Sequence, residues 1–277
     1  MAALFWFTVR QSLRLRRLWF VVLLLIGPSG LALVVRHFDV TDRLEGVWKL
    51  YQIPMLFMLL MVVLPLTCML HGSTLIASEA EGGTLVYLIT RRMRRETVLL
   101  VRFAAVWGVL TVLLGLAFSA FHLCATAGLD IDRLNEAAEM TRENAWNPSH
   151  DLFSYLRVIP LAVAAFLAVF TLISLLFKRP LIISLGYLVI LEMIVGNAPV
   201  RAQICTITHQ LRRMVKASIP DLLQALGSRH ARMLIEPFYP PGATGLIPLV
   251  ALVIAALGLA CLAMRTREPV PAKASRE

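Results

Sequence analysis

Few residues in this chain of 277 residues have the types and spacing that chemistry requires. The sequence contains no G-x-x-x-x-G-K-[ST] loop, which is the usual cradle for the phosphates of a nucleotide. It also lacks the H-E-x-x-H, G-x-S-x-G and C-x-x-C patterns of metalloproteases, serine hydrolases and thiol redox proteins. We therefore expect no catalytic residue, no metal site and no cofactor of its own in this chain.

Glu192 is the one acidic residue inside a long apolar run. A carboxylate at the centre of a membrane span costs about 2.5–3.5 kcal/mol. The eleven Leu, Ile and Val residues of the same run each favour insertion into the membrane by about 0.3–0.6 kcal/mol, so insertion of the whole run is still favoured. The carboxyl group then faces either a substrate path or gate, or a packed interior in which it is protonated or hydrogen-bonded.

Cysteine and histidine residues give a weaker signal. Cys205 and His209 have the i, i+4 spacing of two metal ligands on one helix face, but two ligands are too few for a site. Cys68 and Cys261 lie in apolar runs, where we expect them to pack as small side chains. Cys124 and Cys205 fall toward the same predicted side of a membrane, and the sequence leaves a disulfide between them open.

Six apolar segments must position these residues. The chain is 58% hydrophobic and 16% charged, against about 45–50% and about 25% in soluble domains. About 20 apolar residues cross about 30 Å of hydrocarbon, and continuous runs favour helices over the alternating strands of a barrel. We therefore expect an all-α membrane protein with a six-span domain over residues 18–264. Its spans are residues 18–35, 53–77, 103–128, 158–177, 181–200 and 244–264.

The net charge of +10 is distributed unevenly between these spans. With the N-terminus in the cytosol, the cytosolic segments hold 15 Lys and Arg residues against five acids, and the outer segments hold 12 against 11. Because basic residues favour cytosolic loops, we expect both termini, including the tail 265–277, in the cytosol. The charge therefore orients the bundle and does not indicate nucleic acid. No small-x-small cleavage site precedes Arg36, so the first segment is expected to be a retained span.

Three segments outside the spans have their own patterns. Residues 1–17 predict an amphipathic interfacial helix, although a solvated basic start would have the same composition. The outer segment 201–241 predicts two short amphipathic helices that lie on the outer leaflet, fold back toward the bundle or dock on a partner. The acidic stretch 130–151 lacks calcium-ligand spacing and predicts a solvated loop or a short helix.

The loop between the second and third spans carries the most specific pattern. Residues 76–103 read IASEAEGGTLVYLITRRMRRETVLLVRF. This stretch resembles the cytosolic loop of ABC-2-type permeases, the membrane subunits of a class of ATP-binding-cassette transporters, which commonly reads I-A-x-E-x-E-x-G-T-L before a basic residue. Arg92 stands where that family usually has Pro, and Val86 where an acid is frequent. The matching residues are Ile76, Ala77, Glu79, Glu81, Gly83, Thr84, Leu85, Leu88 and Arg95.

The resemblance implies that loop 78–102 receives force from a separate ATPase. Gly82 and Gly83 permit a sharp turn, after which Thr84 is able to cap a coupling helix over residues 84–92. Its arginines bind either ATPase carboxylates or lipid phosphates, and its acids alternatively pair with neighbouring arginines. The candidate coupling residues are Glu79, Glu81, Gly83, Thr84, Leu85, Leu88, Arg91, Arg92 and Arg95.

The resemblance also implies an activity and partners. A permease of this kind pairs with a second copy or a homologous subunit in the inner membrane of a bacterial cell, an ABC-2-type exporter-like bundle. Two copies of a cytosolic ATPase bind ATP and Mg and drive export. Two alternatives stay open: a scaffold that transmits force to a periplasmic partner without moving a solute and, with less support, an intramembrane enzyme. The sequence does not select a substrate, or a homodimer over a heterodimer.

Overall fold

The computed structural model describes residues 51–74, 95–137, 145–177, 179–197, 201–218 and 245–266. It also describes residues 5, 6, 8–10, 26, 27, 29, 30, 33 and 47. Of the described residues, 93% are helical and none belongs to a strand. The structure therefore confirms the prediction of an all-helical protein.

Four of the described helices are long and apolar enough to cross a membrane. Helix α1 has a π-helical part, Pro54–Val63, followed by an α-helical part, Leu64–Thr74. The other three are α2 (Arg95–Thr126), α4 (Pro148–Leu176) and α7 (Leu246–Thr266). Their apolar lengths indicate a membrane protein.

Three shorter helices complete the described part of the chain. Helix α3 is Ile131–Ala137. Helix α5 begins as an α-helix over Pro180–Tyr187 and continues through the π-helical segment Leu188–Ile194 into the 3-10 turn Val195–Asn197. A second 3-10 turn, Arg201–Cys205, precedes α6, which is Ile207–Ser218.

Helix α4 lies at the centre of the described bundle, because α1, α2, α5, α6 and α7 all pack against it. Most of its residues are buried, as expected for a helix that is apolar on every side. The rings of Phe166 and Phe170 stack with centroids 6.1 Å apart. Phe170 also meets Tyr187 of α5 edge-on, with centroids 5.9 Å apart. These aromatic contacts join α4 to the helix that carries Glu192.

Helix α1 approaches α4 closely at Gly72. A Cβ atom added to Gly72 would lie 2.7 Å from Cβ of Phe170 and 3.4 Å from Cδ1 of Leu167. The missing side chain therefore lets the two helices approach, as small residues do at many helix interfaces in membranes.

Helices α2 and α4 begin before the apolar runs that predicted them. Helix α2 begins at Arg95 instead of residue 103, and α4 begins at Pro148 instead of residue 158. Asn147 caps α4, since its side chain accepts hydrogen bonds from the backbone N–H groups of Ser149 and His150. Caps set the end of a helix, whereas hydropathy reports only the part inside the hydrocarbon, so the helices extend beyond the predicted spans.

The predicted first and fifth spans have different outcomes. The first, residues 18–35, lies mostly outside the described residues, and its positions 26, 27, 29, 30 and 33 are helical. The fifth, residues 181–200, corresponds to the shorter apolar helix Pro180–Ile194.

In the predicted interfacial helix, positions 5, 6 and 8–10 are helical, with Trp6 exposed and Thr8 buried. The tail beyond residue 266 lies outside the described residues.

Helices α5 and α7 expose large apolar side chains. More than half of the surface of Ile182, Ile190, Ile247 and Ile254 is exposed. Water would disfavour apolar faces of this size, whereas lipid tails are as apolar as the side chains themselves. The exposed faces therefore agree with a position in a bilayer.

Candidate functional site

Glu192 lies at the junction of α5 and α6 and is only 2% exposed. Its Oε1 accepts hydrogen bonds from Oη of Tyr187 at 3.0 Å and from the backbone N–H of Ile207 at 3.1 Å. Its Oε2 accepts from the backbone N–H of Thr208 at 2.9 Å and from Oγ1 of Thr208 at 2.6 Å. One buried carboxyl group thus holds the end of α5 to the beginning of α6.

The contacts of Glu192 satisfy the first turn of α6, whose backbone N–H groups have no acceptor within the helix. Thr206 acts as the N-cap, since its Oγ1 accepts from the N–H of His209 at 3.3 Å. Glu192 accepts from the two preceding N–H groups. The partial positive charge of a helix N-terminus also stabilises a carboxylate. These contacts are those of a hydrogen-bonded packing residue, and a role of Glu192 in a path or gate stays a prediction.

The π-helical segment of α5 explains how Tyr187 reaches Glu192. In an α-helix, residues i and i+5 point about 140° apart around the axis. Glu192 lies in the π-helical segment Leu188–Ile194, whose wider turn brings i and i+5 closer together. The hydroxyl of Tyr187 and the carboxyl of Glu192 can therefore meet on one side of the helix.

Two glycines let α6 lie close to its neighbours in the chain. A Cβ atom on Gly196, at the end of α5, would lie 2.8 Å from Oγ1 of Thr208. A Cβ atom on Gly245, just before α7, would lie 2.5 Å from the backbone oxygen of Gln210. Helix α6 is therefore held between the end of α5 and the beginning of α7.

Helix α6 packs inward and does not present its apolar face to a surface. Ile207, Leu211 and Val215 are buried, and α6 contacts both α4 and α7. Gln210 and Arg212 on its polar side are buried as well. Of the three placements open for the outer segment, this arrangement corresponds to folding back toward the bundle. The second predicted helix of that segment lies outside the described residues.

Charged side chains of α6 change the titration of His209, which lies outside the predicted spans. His209 is buried, and Arg212 and Arg213 follow it on the same helix. Burial first, and then the charges of Arg213 and Arg212, lower the pKa of His209 from 6.5 to about 4. His209 is therefore neutral at neutral pH. Arg212 donates through Nη1 to the backbone oxygen of Gly196 at 3.4 Å, a second polar contact between α6 and α5.

Asp151 is the centre of a second buried polar cluster, at the predicted outer ends of α1 and α4. Oδ2 of Asp151 accepts a short hydrogen bond from Nε2 of Gln52 and another from Nε1 of Trp146 at 2.9 Å. Oε1 of Gln52 in turn accepts from Oη of Tyr155 at 2.9 Å. All four residues are at most 8% exposed. The cluster therefore joins α1 to the first turns of α4.

Tyr51 and His122 extend this cluster to α2. The hydroxyl of Tyr51 lies 2.9 Å from Nδ1 of His122 and donates to the backbone oxygen of Pro148 at 3.2 Å. The ring of Tyr51 meets that of Trp146 edge-on, with centroids 5.6 Å apart. Asn135 of α3 binds the backbone of Trp146 through both of its amide atoms. Helices α1 to α4 are thus tied together at one end of the bundle.

Sequence reasoning found Glu192 but missed the cluster around Asp151. A solvated loop or short helix was expected over residues 130–151. Helix α3 lies in that stretch, but Asp151 is buried. The available signal was Asn147 before Pro148, a helix start that places Asp151 in the first turn of α4. Gln52, the main partner of Asp151, lies 99 residues away in the sequence, and no local pattern connects the two.

Most of the predicted coupling residues cannot be compared with the structure. Glu79, Glu81, Gly83, Thr84, Leu85, Leu88, Arg91 and Arg92 lie outside the described residues. Arg95 is the first residue of α2. The coupling site therefore remains a prediction, and it is separate in sequence from the polar groups at Glu192 and Asp151.

Cys205 and His209, which have the spacing of two metal ligands, are divided between surface and interior. Cys205 is exposed whereas His209 is buried, and no group of three or more metal-ligating side chains occurs among the described residues. Cys68, Cys124, Cys205 and Cys261 are free thiols in the structure, so Cys124 and Cys205 are not joined.

Comparison with known proteins gives no match: no protein-family model fits the chain, and no curated protein is significantly similar to it. A function therefore has to be argued from the residues and the geometry.

Proposed function

We propose that this chain is the permease subunit of an ABC-2-type exporter. In this proposal it has six spans and lies in the inner membrane of a bacterial cell with both termini in the cytosol. Two permease copies form the membrane path, and two copies of a separate ATPase bind ATP and Mg. The observation that carries the proposal is the acid-Gly-Thr-Leu motif in the loop that joins α1 to α2.

The helices on either side of this loop support its role in coupling. Both α1 and α2 are long and apolar enough to span a membrane, so a loop between them has both ends at one membrane face. Helix α2 has 32 residues and is about 48 Å long, about 18 Å more than the hydrocarbon core. Its polar first turn, which begins with Arg95 and Glu96, can therefore extend beyond the hydrocarbon toward the loop.

Packing within the bundle provides a route for force from the loop. Helices α1 and α2 both pack on α4, which in turn contacts α5, α6 and α7. A displacement applied at residues 84–92 would therefore reach every described span through α4. This is the mechanical property that a permease without its own ATPase requires.

The charges at the helix ends agree with cytosolic termini. Arg95 begins α2, Arg179 lies between α4 and α5, and Arg265 lies at the end of α7. If α2, α4, α5 and α7 cross the membrane in turn, the three arginines lie at the same face. Basic residues favour the cytosolic face, so this is the orientation that places the loop 78–102 beside an ATPase.

The burial of α6 argues against α6 itself as the docking surface of a force-transmitting scaffold. A scaffold would need an outer surface on which its periplasmic partner docks. Helix α6 instead packs on α4 and α7, and its first turn is hydrogen-bonded to Glu192. This leaves α6 as a part of the bundle that can follow its movements.

Purification of the intact complex tests the proposal. The tagged chain is extracted from its native membrane in a mild detergent, and its partners are identified by mass spectrometry. We expect an ATPase with a G-x-x-x-x-G-K-[ST] loop in about a one-to-one ratio, and vanadate-sensitive hydrolysis of ATP. A chain that purifies alone and active on a membrane substrate would contradict the proposal, and a stoichiometric periplasmic protein would favour the scaffold.

A further inference from the structure

We propose that Glu192 is a latch that fastens α6 to α5, so that the two helices move as one unit on α4. The latch consists of the carboxyl group of Glu192 and its donors, Tyr187 on α5 and the first turn of α6. The inference rests on contacts within the chain. Only its consequence for transport depends on the proposed function.

The first argument is the chemistry of the donors. The phenol of Tyr187 and the two backbone N–H groups of Ile207 and Thr208 all point hydrogens at the carboxyl oxygens. A carboxylate accepts at both oxygens, whereas an amide or a protonated acid replaces one acceptor by a donor. A glutamine amide at this position would turn its own N–H group toward one of these donors.

The second argument is that the first two N–H groups of α6 are buried and both donate to Glu192. Ile207 and Thr208 are at most 2% exposed, so water does not replace the carboxyl group as their acceptor without an opening of the structure. Thr206 accepts at the third N–H of α6, and its backbone oxygen accepts from Gln210 at 3.4 Å. The first two N–H groups depend on Glu192, so loss of the carboxylate releases the beginning of α6.

The third argument is the narrow contact of α5 with the rest of the protein. Among its described residues, the buried ones are Ser184, Leu188, Glu192 and Gly196, which are four apart and form one stripe. The neighbouring apolar side chains of Ile182, Ile190 and Ile194 are exposed. The apolar contacts of α5 are therefore made by this stripe and by the half-buried side chains of Ile183 and Tyr187 beside it, and Glu192 supplies its main polar connection to α6. A movement of α5 carries α6 with it as long as the latch is closed.

Thiol labelling of α6 tests the latch without any ATPase. Val215 of α6 is completely buried, and cysteine is small and apolar enough to replace it. The Val215→Cys reporter is placed in the full chain, with the four native cysteines changed to alanine, in liposomes. A membrane-impermeant maleimide then reports how often α6 leaves its position.

We expect Glu192→Ala to increase the labelling rate of the reporter by about tenfold or more. The isosteric Glu192→Gln should have a smaller effect of the same sign, because the amide keeps one acceptor. Ser184→Ala is the matched control: it removes a buried hydroxyl from the same stripe of α5, four residues from Leu188, and should leave the rate unchanged. If Glu192→Ala fails to insert into the membrane, the labelling rate of Glu192→Gln is the deciding measurement. A rate within twofold of the parent for the inserted variants would overturn the latch.

A covalent replacement distinguishes a latch from a residue of the substrate path. A Cβ atom at position 196 would lie 2.8 Å from Oγ1 of Thr208, a separation compatible with a disulfide between these positions. In Glu192→Gln, the pair Gly196→Cys and Thr208→Cys should restore the permease-dependent ATP hydrolysis when oxidised and lose it when reduced. If the Glu192 variants raise the labelling rate but the disulfide does not restore ATP hydrolysis, the latch is supported and its link to the proposed transport cycle is contradicted. Labelling that is independent of Glu192 would reject the latch whatever the ATPase does.

Discussion

At the scale of single residues, the two buried carboxyl groups of the described part of the chain are each surrounded by donors. Glu192 has donors from Tyr187 and from the first turn of α6, and Asp151 has donors from Gln52 and Trp146. Sequence alone left a substrate path or gate and a packed interior open for Glu192, because an acid inside an apolar run usually faces the interior of a bundle or a water-filled cavity. It did not predict its donors, since Thr208 becomes a neighbour only when the chain folds back after α5.

Removal of the Asp151 carboxyl group should destabilise the protein. Asp151→Ala leaves the buried donors of Gln52 and Trp146 without their acceptor, and each buried unsatisfied donor costs about 1–3 kcal/mol. We expect a loss of about 2–4 kcal/mol, measured by denaturant unfolding in detergent micelles. The matched control is Asp132→Ala on the exposed side of α3, which should change the free energy by less than about 0.5 kcal/mol. Equal losses of unfolding free energy in the two variants would contradict the hydrogen-bonded cluster around Asp151.

His209 should make the protein less stable in acid. Its pKa is lowered to about 4 in the folded protein, against 6.5 as the ordinary value, so the unfolded chain binds the proton first as the pH falls. Stability contributed by neutral His209 is therefore present above about pH 6.5 and is lost between about pH 6.5 and 4. The melting temperature of wild type should fall between pH 7 and pH 5, and His209→Gln should reduce this fall. The same pH dependence in both proteins would contradict the assignment.

At the scale of elements, hydropathy located the second, third, fourth and sixth apolar segments, each of which overlaps a described helix of span length. It did not locate the ends of α2 and α4, because Asn147 and the polar first turns extend these helices beyond the apolar runs. The π-helical parts of α1 and α5 were not predicted either. The contact of Tyr187 with Glu192, which the π-helical part of α5 permits, is not contained in the periodic pattern of that segment.

The close approach of α1 to α4 should be sensitive to one added methyl group. Gly72→Ala places a Cβ atom 2.7 Å from Cβ of Phe170, which forces the helices apart, so we expect a loss of about 1–3 kcal/mol. A Cβ atom added to Gly108 of α2 would have no neighbouring atom within 4 Å. Gly108→Ala should therefore be neutral or stabilising by up to about 1 kcal/mol. Thermal unfolding of both variants in one detergent measures the difference. A Gly72→Ala variant as stable as wild type would contradict the close contact of α1 with α4.

At the scale of the whole molecule, an all-helical membrane protein follows from composition alone, because 58% hydrophobic residues leave a soluble fold without enough polar surface. The bundle around α4 does not follow from composition, since every span is apolar enough to occupy its centre. The coupling residues were identified from the motif in residues 76–103, and the link from that motif to an ATPase remains the central proposal.

The orientation of the chain should be visible through Cys205, which is exposed just before α6. In spheroplasts, a membrane-impermeant maleimide should label Cys205 in a variant whose other three cysteines are changed to alanine. A cysteine introduced at Ala274, in the predicted cytosolic tail, should be labelled only after the membrane is opened. The reverse pattern would contradict cytosolic termini.

The most direct test of the central proposal is the effect of Leu85→Asp on the purified permease–ATPase complex in liposomes of native lipid. An aspartate in an apolar coupling contact should reduce permease-dependent ATP hydrolysis by about tenfold or more, while the variant inserts and unfolds like wild type. Leu85→Met keeps the volume and apolar character and serves as the control with near-normal hydrolysis. Hydrolysis by Leu85→Asp equal to that of wild type would contradict the account.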